Sequence, residues 1–376
     1  MLADRTLRVQ PSGIRKIFEL VASLEDPVDF SIGQADFDVP EPVKEAAIRA
    51  IREGFNRYSV TQGDAELNER IRQRVKLSYG FDPGASLVTA GVSGGLLLAY
   101  LVLLNPEDEI LIPDPHFVMY RVLADIIGAR AVTYDMYPDF KIRREALERA
   151  VTKKTRALLL NSPSNPTGRV CSPEELQLVA EFAREHDLIV ISDEIYDAFV
   201  YDEPFRSISE WYERTVLLSG FSKTYGMPGW RIGYAVGPEE ILDAMKTFQQ
   251  FTFVCANTVA QQAALYALAH DCTEQVQGYR KKRDRVVERL SGSYELVPPQ
   301  GSFYAFPRLP AGLSGVDFVQ QALAEKVLVV PGTAFSARDT HFRLSFAASD
   351  EHLERGLDVL ERVAARASQK QAGAST

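Results

Sequence analysis

The feature that most constrains the fold is a regular alternation, between about residues 40 and 265, of helical stretches with short apolar runs. The stretches 42–53 and 65–79 carry apolar residues at three- and four-residue steps, the spacing of an amphipathic helix. Runs without polar alternation lie between the helical stretches, at 109–112, 156–160, 188–191, 216–218 and 232–236. Such runs are typical of strands buried on both faces of a parallel sheet. The sequence therefore predicts an α/β fold, with a mainly parallel sheet flanked by helices.

The C-terminal part has a different pattern and predicts a smaller α+β domain. Helical periodicity is found at 286–290, 318–325 and 353–364, and strand-like runs are found at 303–306, 327–330 and 342–346. A chain of 376 residues is long enough for two units. We expect a large domain over residues 36–285 and a small domain built from residues 1–35 plus 286–376.

Composition and charge exclude several classes of function. The net charge of −9 argues against nucleic acid or an anionic membrane as the main partner. No apolar run reaches the ~18 residues of a membrane helix, and the N-terminus lacks the apolar stretch of a signal peptide. The three cysteines form no Cys-x-x-Cys pair, which favours reduced thiols and a cytoplasmic location. The five histidines show no ligand spacing, so no metal site is expected.

Polar residues follow three of the predicted strands. Asn165 follows the first strand, Asp193 and Tyr196 follow the second, and Lys223 follows the third. Each residue alone has an ordinary reading as part of a turn, a helix cap or a solvated loop. Together they place an amide, a carboxylate with a phenol, and an amine at the carboxyl edge of the sheet, where α/β proteins bind ligands.

The surroundings of Lys223 favour covalent chemistry. Its loop is dense in serine, glycine and aromatic residues, and no acidic residue occurs from 214 to 233. Low polarity and nearby positive charge lower the pKa of an amine, which suits one that forms a Schiff base with a carbonyl. An aldehyde cofactor with a pyridine ring also needs a carboxylate at its ring nitrogen, and Asp193 would supply that group.

A phosphate site is predicted at the Gly/Ser-rich turn 89–95, which precedes the helical stretch 96–104. Such a turn offers free backbone N–H groups and the positive end of the helix dipole. Arg231 is a candidate bidentate partner for the phosphate, and Ser222 could add a hydroxyl. The turn lacks both the Gly-x-Gly-x-x-Gly spacing and the P-loop lysine, which disfavours a nicotinamide-dependent enzyme.

At these residues the sequence resembles the class I and II aminotransferases of pyridoxal 5′-phosphate (PLP) fold type I, the aspartate aminotransferase family. The motifs at 165–168, 193–196 and 222–234 match the family signatures in order and spacing. The resemblance extends from residues 33–40 to residues 342–346. It implies a PLP-dependent enzyme that moves the amino group of an α-amino acid to a 2-oxo acid by a ping-pong mechanism.

The resemblance also implies a role for each matching residue. Lys223 would hold PLP as a Schiff base and shuttle protons, while Asp193 would pair with the pyridine nitrogen. Asn165 and Tyr196 would hydrogen-bond the phenolic oxygen of the ring. The phosphate would be held by Ser93, Gly94, Ser222 and Arg231.

The remaining implied roles concern the ring face, the substrate and a second subunit. Phe117 would stack on the ring, with His116 as the second candidate. Arg343 would grip the substrate α-carboxylate, with Gly33 and Asn165 close to it. Tyr58 would reach the phosphate of a partner subunit, which requires a homodimer.

Several alternatives stay open at this stage. Gln34 and Ala35 depart from the family pattern and affect access to the substrate side chain, and no second cation can be assigned to a distal carboxylate. A carbon–sulfur β-lyase, or an enzyme like aminocyclopropane-carboxylate synthase, can share this fold. A PLP-binding regulator without turnover is disfavoured, because residues 1–30 are too few for a DNA-binding module. The sequence does not identify the donor amino acid.

Overall fold

The computed structural model describes residues 2–3, 5–9 and 25–374. Its strands are β1 (Val28–Asp29), β2 (Ala85–Thr89), β3 (Glu109–Asp114), β4 (Arg130–Asp135), β5 (Thr155–Asn161), β6 (Ile189–Asp193), β7 (Thr215–Gly220), β8 (Gly233–Gly237), β9 (Tyr304–Ala305), β10 (Val327–Leu328), β11 (Val330–Pro331) and β12 (Phe342–Ser345). Its α-helices are α1 (Arg5–Arg8), α2 (Glu41–Arg52), α3 (Ala65–Tyr79), α4 (Gly91–Leu103), α5 (Val118–Ile127), α6 (Arg144–Ala150), α7 (Pro173–Glu185), α8 (Glu239–Thr252), α9 (Thr258–Ala267), α10 (Thr273–Leu290), α11 (Gly315–Ala324) and α12 (Asp350–Ala374). None of the helices in these ranges is long and apolar enough to cross a membrane.

A seven-stranded sheet forms the centre of the larger part, in the order β2-β8-β7-β6-β5-β3-β4. All neighbours from β7 to β4 pair in parallel, whereas β8 runs antiparallel to both β7 and β2. The parallel strands β5, β6 and β7 are almost wholly buried, which explains their largely apolar sequence. The predicted α/β fold with a mainly parallel sheet is confirmed.

The register of the sheet brings the predicted polar residues to one edge. Asn161, the last residue of β5, lies opposite Asp193, the last residue of β6. Asp193 in turn lies opposite Leu218 near the end of β7, and Lys223 follows that strand. The carboxyl ends of three strands therefore open onto the same space.

Local signals set the ends of the helices around the sheet. At α7 the Ser172 side chain accepts from the backbone N–H of Glu175, and the Glu175 side chain accepts from the backbone N–H of Ser172 in return, which forms a capping box. At α3 the Asp64 side chain accepts from the N–H of Leu67, and Gly80 ends the helix in the left-handed conformation. The predicted helix over 65–79 has the bounds of α3.

A second group of elements packs around the C-terminal strands. β11, β12 and β9 form an antiparallel sheet, and β1 pairs in parallel with β10. The predicted strand at 327–330 is divided into two short strands, because β10 pairs with β1 whereas β11 pairs with β12. Phe30, next to β1, is buried in the same apolar cluster as residues of α12. The N-terminal segment thus joins this second group through β1.

The proposed division into residues 36–285 and residues 1–35 plus 286–376 stays a prediction. Its boundary near 285 falls inside α10, an unbroken helix of 18 residues. Residues 10–24 of the predicted small domain lie outside the described residues.

Candidate active site

A cavity of about 240 Å³ lies at the carboxyl edge of the parallel strands. All but two of the residues predicted for the site line this cavity, namely Gly33, Ser93, Phe117, Asn165, Asp193, Tyr196, Ser222, Lys223, Arg231 and Arg343. They come from loops that are far apart in sequence and meet because the ends of β5, β6 and β7 are neighbours in the sheet. The two exceptions are Gly94 and Tyr58.

The amine of Lys223 lies in the loop after β7 and points into the cavity. Its Nζ donates a hydrogen bond to the carbonyl oxygen of Gly33 at 2.5 Å and lies 5.9 Å from the ring centroid of Tyr196. Burial is the main cause that lowers the Lys223 pKa to about 8, and the positive charge of Arg343 acts in the same direction. Lys223 is therefore a far better nucleophile and base at neutral pH than a surface lysine.

The carboxylate of Asp193 lies at the end of β6 and is buried. Its Oδ2 accepts from the hydroxyl of Tyr120 at 2.8 Å, and its Oδ1 accepts from the backbone N–H of Ile195 at 3.3 Å. Burial raises the Asp193 pKa to about 6, although both hydrogen bonds and the charge of Lys223 oppose this shift. A buried carboxylate held in a fixed orientation suits a cationic ring nitrogen, whose charge would stabilise the ionised form.

Two asparagines link the ends of β5 and β6 to Arg343. Asn161 donates from Nδ2 to the carbonyl of Asp193 at 3.0 Å and accepts from the backbone N–H of Asn165 at 2.9 Å. Asn165 in turn accepts from Nη1 of Arg343 at 3.0 Å. The amide of Asn165 is thus fixed between the predicted cofactor ring and the predicted carboxylate site.

Arg343 is a buried guanidinium that forms no salt bridge in the described part of the chain. It lies on β12, is only 2% exposed, and donates from Nη2 to the carbonyl of Ser31 at 2.5 Å. Its Nε is buried without a hydrogen-bond partner, and Arg343 forms no ion pair with any carboxylate in residues 25–374. The rings of Tyr304 and Phe335 lie 4.5 and 4.8 Å from its Cζ. Burial is the main cause that lowers the Arg343 pKa, because it destabilises the charged guanidinium. An anionic ligand would therefore stabilise that charge.

A candidate anion site, which we call the α4 cradle, lies at the start of α4. The residue before this helix, Ala90, offers no side-chain cap, which leaves the first-turn N–H groups to a ligand. The guanidinium of Arg231 lies close to this turn, because a Cβ atom on Gly91 would be only 2.8 Å from Arg231 Nη2. Gly91 also has φ +70°, a conformation that other residues adopt only with strain. Ser93 and Ser222 line the same cavity as Arg231.

Of the remaining predicted residues, one lines the cavity and three do not. Phe117 lines the cavity, whereas His116 lines a separate cavity with Asp114 and other residues. Gly94 lies in the first turn of α4 but outside the cavity lining. Tyr58 is 83% exposed and lies apart from the cavity, so this chain alone does not bring it to the site.

Two tyrosines of the site were missed by the sequence analysis. Tyr120 fixes Asp193, and Tyr304 shares a hydrogen bond of 2.9 Å with the hydroxyl of Tyr196. Tyr120 follows Phe117 by three residues at the start of α5, and this helical spacing could have placed both side chains on one face. Tyr304 lies within a segment whose pattern predicts only a strand, and the sequence carries no motif that connects it to Tyr196.

The chemistry of this donor set fits PLP. An amine of lowered pKa matches an aldehyde, a buried carboxylate matches a ring nitrogen, and the cradle at α4 matches a phosphate. The unpaired guanidinium of Arg343 then remains for a substrate carboxylate. Lys223 and Arg343 line one cavity, so a substrate whose carboxylate is bound by Arg343 would share that cavity with the Lys223 amine.

Comparisons with known proteins agree with this geometry. The family model for aminotransferase class I and II matches residues 25–360. The chain is 37% identical to a probable aspartate aminotransferase of Methanocaldococcus jannaschii, over 96% of this chain and 100% of that protein. It is 38% identical to aromatic-amino-acid aminotransferase 2 of Thermococcus litoralis, over 96% of this chain and 98% of that protein. A solved structure of a double mutant of Thermus thermophilus aspartate aminotransferase superposes with a TM-score of 0.92 at 34% identity, covering 96% of this chain and 99% of that chain.

Proposed function

Because the chain belongs to the class I and II aminotransferases and is a transaminase, we propose that its cavity holds PLP on Lys223. Asp193 would face the ring nitrogen, Phe117 the ring, and Asn165 and Tyr196 the phenolic oxygen. Ser93, Gly94, Ser222 and Arg231 would hold the phosphate. The observation that carries this proposal is the buried Lys223 amine in one cavity with the Asp193 carboxylate, the α4 cradle and an unpaired Arg343.

When bound, PLP supplies an electron-withdrawing ring that stabilises negative charge on the substrate Cα. Lys223 would remove the Cα proton. With a pKa of about 8, about a tenth of its amine is neutral at pH 7, against on the order of one molecule in three thousand for an ordinary lysine. The low-polarity environment of the Lys223 loop thus prepares the base before substrate arrives.

Asp193 and Arg343 orient the two reacting groups. Asp193 is fixed by Tyr120, which keeps its carboxylate turned toward the cavity. Arg343 would bind the substrate α-carboxylate by two parallel hydrogen bonds, and Asn165 holds its guanidinium plane. Position 33 requires glycine, because the hydroxyl of Tyr304 occupies the space that a Cβ there would fill.

The substrates that we propose are an α-amino acid and a 2-oxo acid such as 2-oxoglutarate. Relatives are named as aspartate and as aromatic-amino-acid aminotransferases, and these names do not agree on one donor. The cations that line the cavity are Lys223, Arg231 and Arg343, each with a role already. In the described part of the chain no lining cation remains for a distal carboxylate, so a dicarboxylate donor would need one from another subunit. The carbon–sulfur lyase alternative is not favoured, because the relatives are named as aminotransferases.

The surface around Tyr58 supports a homodimer. Tyr58 is 83% exposed. Exposed apolar residues occur near it in the sequence, at Ile48, Ile51, Phe55 and Val60, and at the end of α8 and just after it, at Phe251 and Val254. The two segments are joined by hydrogen bonds from Gln249 to the carbonyl of Thr61 and from Thr258 to the carbonyl of Phe55. Exposed apolar groups of this kind mark protein interfaces. A second copy covering this surface would let Tyr58 reach the partner's phosphate site.

We also propose a cytoplasmic location. Cys171, Cys255 and Cys272 are all free thiols. Thiols that remain unpaired suit a reducing compartment.

The proposal is tested by trapping and by turnover. Apoprotein is incubated with PLP, reduced with borohydride and digested, and the labelled peptide is identified; a panel of amino donors is then assayed with 2-oxoglutarate for glutamate formation. We expect the label on Lys223 and glutamate from at least one donor. Lys246→Ala, at an exposed surface lysine, is the matched control for labelling. A label at another lysine, or release of pyruvate from cystathionine without glutamate formation, would contradict the proposal.

A further inference from the structure

Tyr304 lies where the predicted cofactor and substrate contacts meet. It belongs to β9, and its side chain is buried. Its hydroxyl lies 2.9 Å from the hydroxyl of Tyr196, and its ring lies 4.5 Å from Cζ of Arg343. One side chain therefore contacts both the residue predicted to hold the cofactor's phenolic oxygen and the residue predicted to hold the substrate.

The position of the Tyr304 hydroxyl is fixed by close packing. A Cβ atom on Gly33 would lie 2.0 Å from this hydroxyl oxygen, so the phenol occupies the space that a side chain at position 33 would fill. The rings of Tyr196 and Tyr304 meet edge to face with centroids 5.7 Å apart, and Phe303 packs against both. The hydroxyl of Tyr304 cannot turn away from Tyr196 without disturbing these contacts.

The direction of the shared hydrogen bond follows from what Tyr196 does. Either hydroxyl can donate to the other in the protein alone. Burial raises the pKa of both phenols, so both carry their hydrogen at neutral pH. If the hydrogen of Tyr196 is donated to the cofactor's phenolic oxygen, the oxygen of Tyr196 is free to accept, and Tyr304 becomes the donor. A phenol that accepts a hydrogen bond donates more strongly in turn.

We propose that Tyr304 is a positioning residue that donates to Tyr196 and thereby strengthens the hydrogen bond from Tyr196 to the phenolic oxygen of the cofactor. This inference rests on the proposed function, because it requires Tyr196 to face PLP. A stronger donor at the phenolic oxygen stabilises its anion and lowers the pH at which the bound chromophore loses its proton.

The test is a pH titration of the visible absorption of the PLP-loaded protein, which reports protonation and not turnover. Tyr304→Phe removes only the hydroxyl and keeps the ring over Arg343. We expect the midpoint of its absorption change to rise by about half to one pH unit, the size of one neutral hydrogen bond. Tyr294→Phe is the matched control, since it removes another buried tyrosine hydroxyl from the same apolar cluster, one that bonds the carbonyl of Leu360. Its midpoint should equal that of the unaltered protein.

A double variant separates this role from a general packing effect. In a Tyr196→Phe background, Tyr304 has no hydroxyl to act through, so adding Tyr304→Phe should move the midpoint no further. An unmoved midpoint in Tyr304→Phe, or an equal additional shift in the double variant, overturns the inference. A protein whose unaltered form takes up PLP without any pH-dependent visible band would contradict the proposed Schiff base itself, which keeps the two failures distinct.

Discussion

The replacement Arg343→Lys tests whether the unpaired guanidinium is the carboxylate site. The lysine keeps a positive charge but loses the planar fork, so at most one of two parallel hydrogen bonds to the substrate can form. A hydrogen bond to a charged group is worth about 1.5–3 kcal/mol, and about 1.4 kcal/mol corresponds to a tenfold change in rate. The structure adds a second loss, since Asn165 accepts from Nη1 of Arg343 and would lose that partner. We therefore expect kcat/KM to fall by about ten- to one-hundredfold.

The assay measures both half-reactions separately by the spectral change of the bound cofactor. Because the amino acid and the 2-oxo acid both carry the carboxylate, both half-reactions should slow by a similar factor, while PLP content stays unchanged. Arg283→Lys is the matched control, since Arg283 is also buried but pairs with Asp202. Unchanged kcat/KM in Arg343→Lys, or a loss confined to PLP binding, would refute the assignment of Arg343 to the substrate.

Four other outcomes are expected. Lys223→Ala should abolish transamination and leave a folded protein that binds PLP without a borohydride-stable link, as mass spectrometry and circular dichroism would show; measurable turnover would exclude its role as the base. The rate at which apoprotein forms its covalent link with PLP should rise with pH through about 8, because the Lys223 pKa is lowered and only the neutral amine reacts; a midpoint near the ordinary lysine value would contradict the burial argument. Gly91→Ala should weaken PLP binding measured by equilibrium titration, because its Cβ would lie 2.8 Å from Arg231 Nη2, whereas Gly278→Ala, with no atom within 4 Å, should not; equal affinities would remove the cradle. Phe251→Asp, at a side chain that is 82% exposed, should shift a dimer toward monomer in sedimentation experiments, and an unchanged sedimentation coefficient would remove this surface from the interface.

The sheet could be predicted because its burial determines which residue types its strands contain. A strand covered on both faces must be apolar along its length, so the runs at 109–112 and 188–191 identified β3 and β6. The ends of the strands were predicted less accurately. β3 continues through Pro113 to Asp114, because both residues stay in register with β4.

The side chains that complete the site were predictable only where a family motif carried them. Asn165, Asp193 and Lys223 follow strands and lie in motifs, and the structure places all three at one cavity. Tyr120 and Tyr304 contact their partners across 73 and 108 residues of sequence. Hydrophobic periodicity shows which face of an element is buried, but it does not show which remote hydroxyl a buried group will meet. The role expected for Tyr58 depends on a second chain, and no pattern within one chain contains that geometry.

Main-chain atoms of the N-terminal segment contact both Arg343 and Lys223. The carbonyl of Ser31 holds Arg343, and the carbonyl of Gly33, two residues later, holds Lys223. Every amino acid carries a backbone carbonyl, so exchanging the side chain at position 31 does not delete the acceptor there. Only a displacement of the peptide itself would do so, and it would disturb the base and the carboxylate anchor together. Side-chain substitution at position 31 would therefore understate its importance, whereas an insertion or deletion of one residue would reveal it.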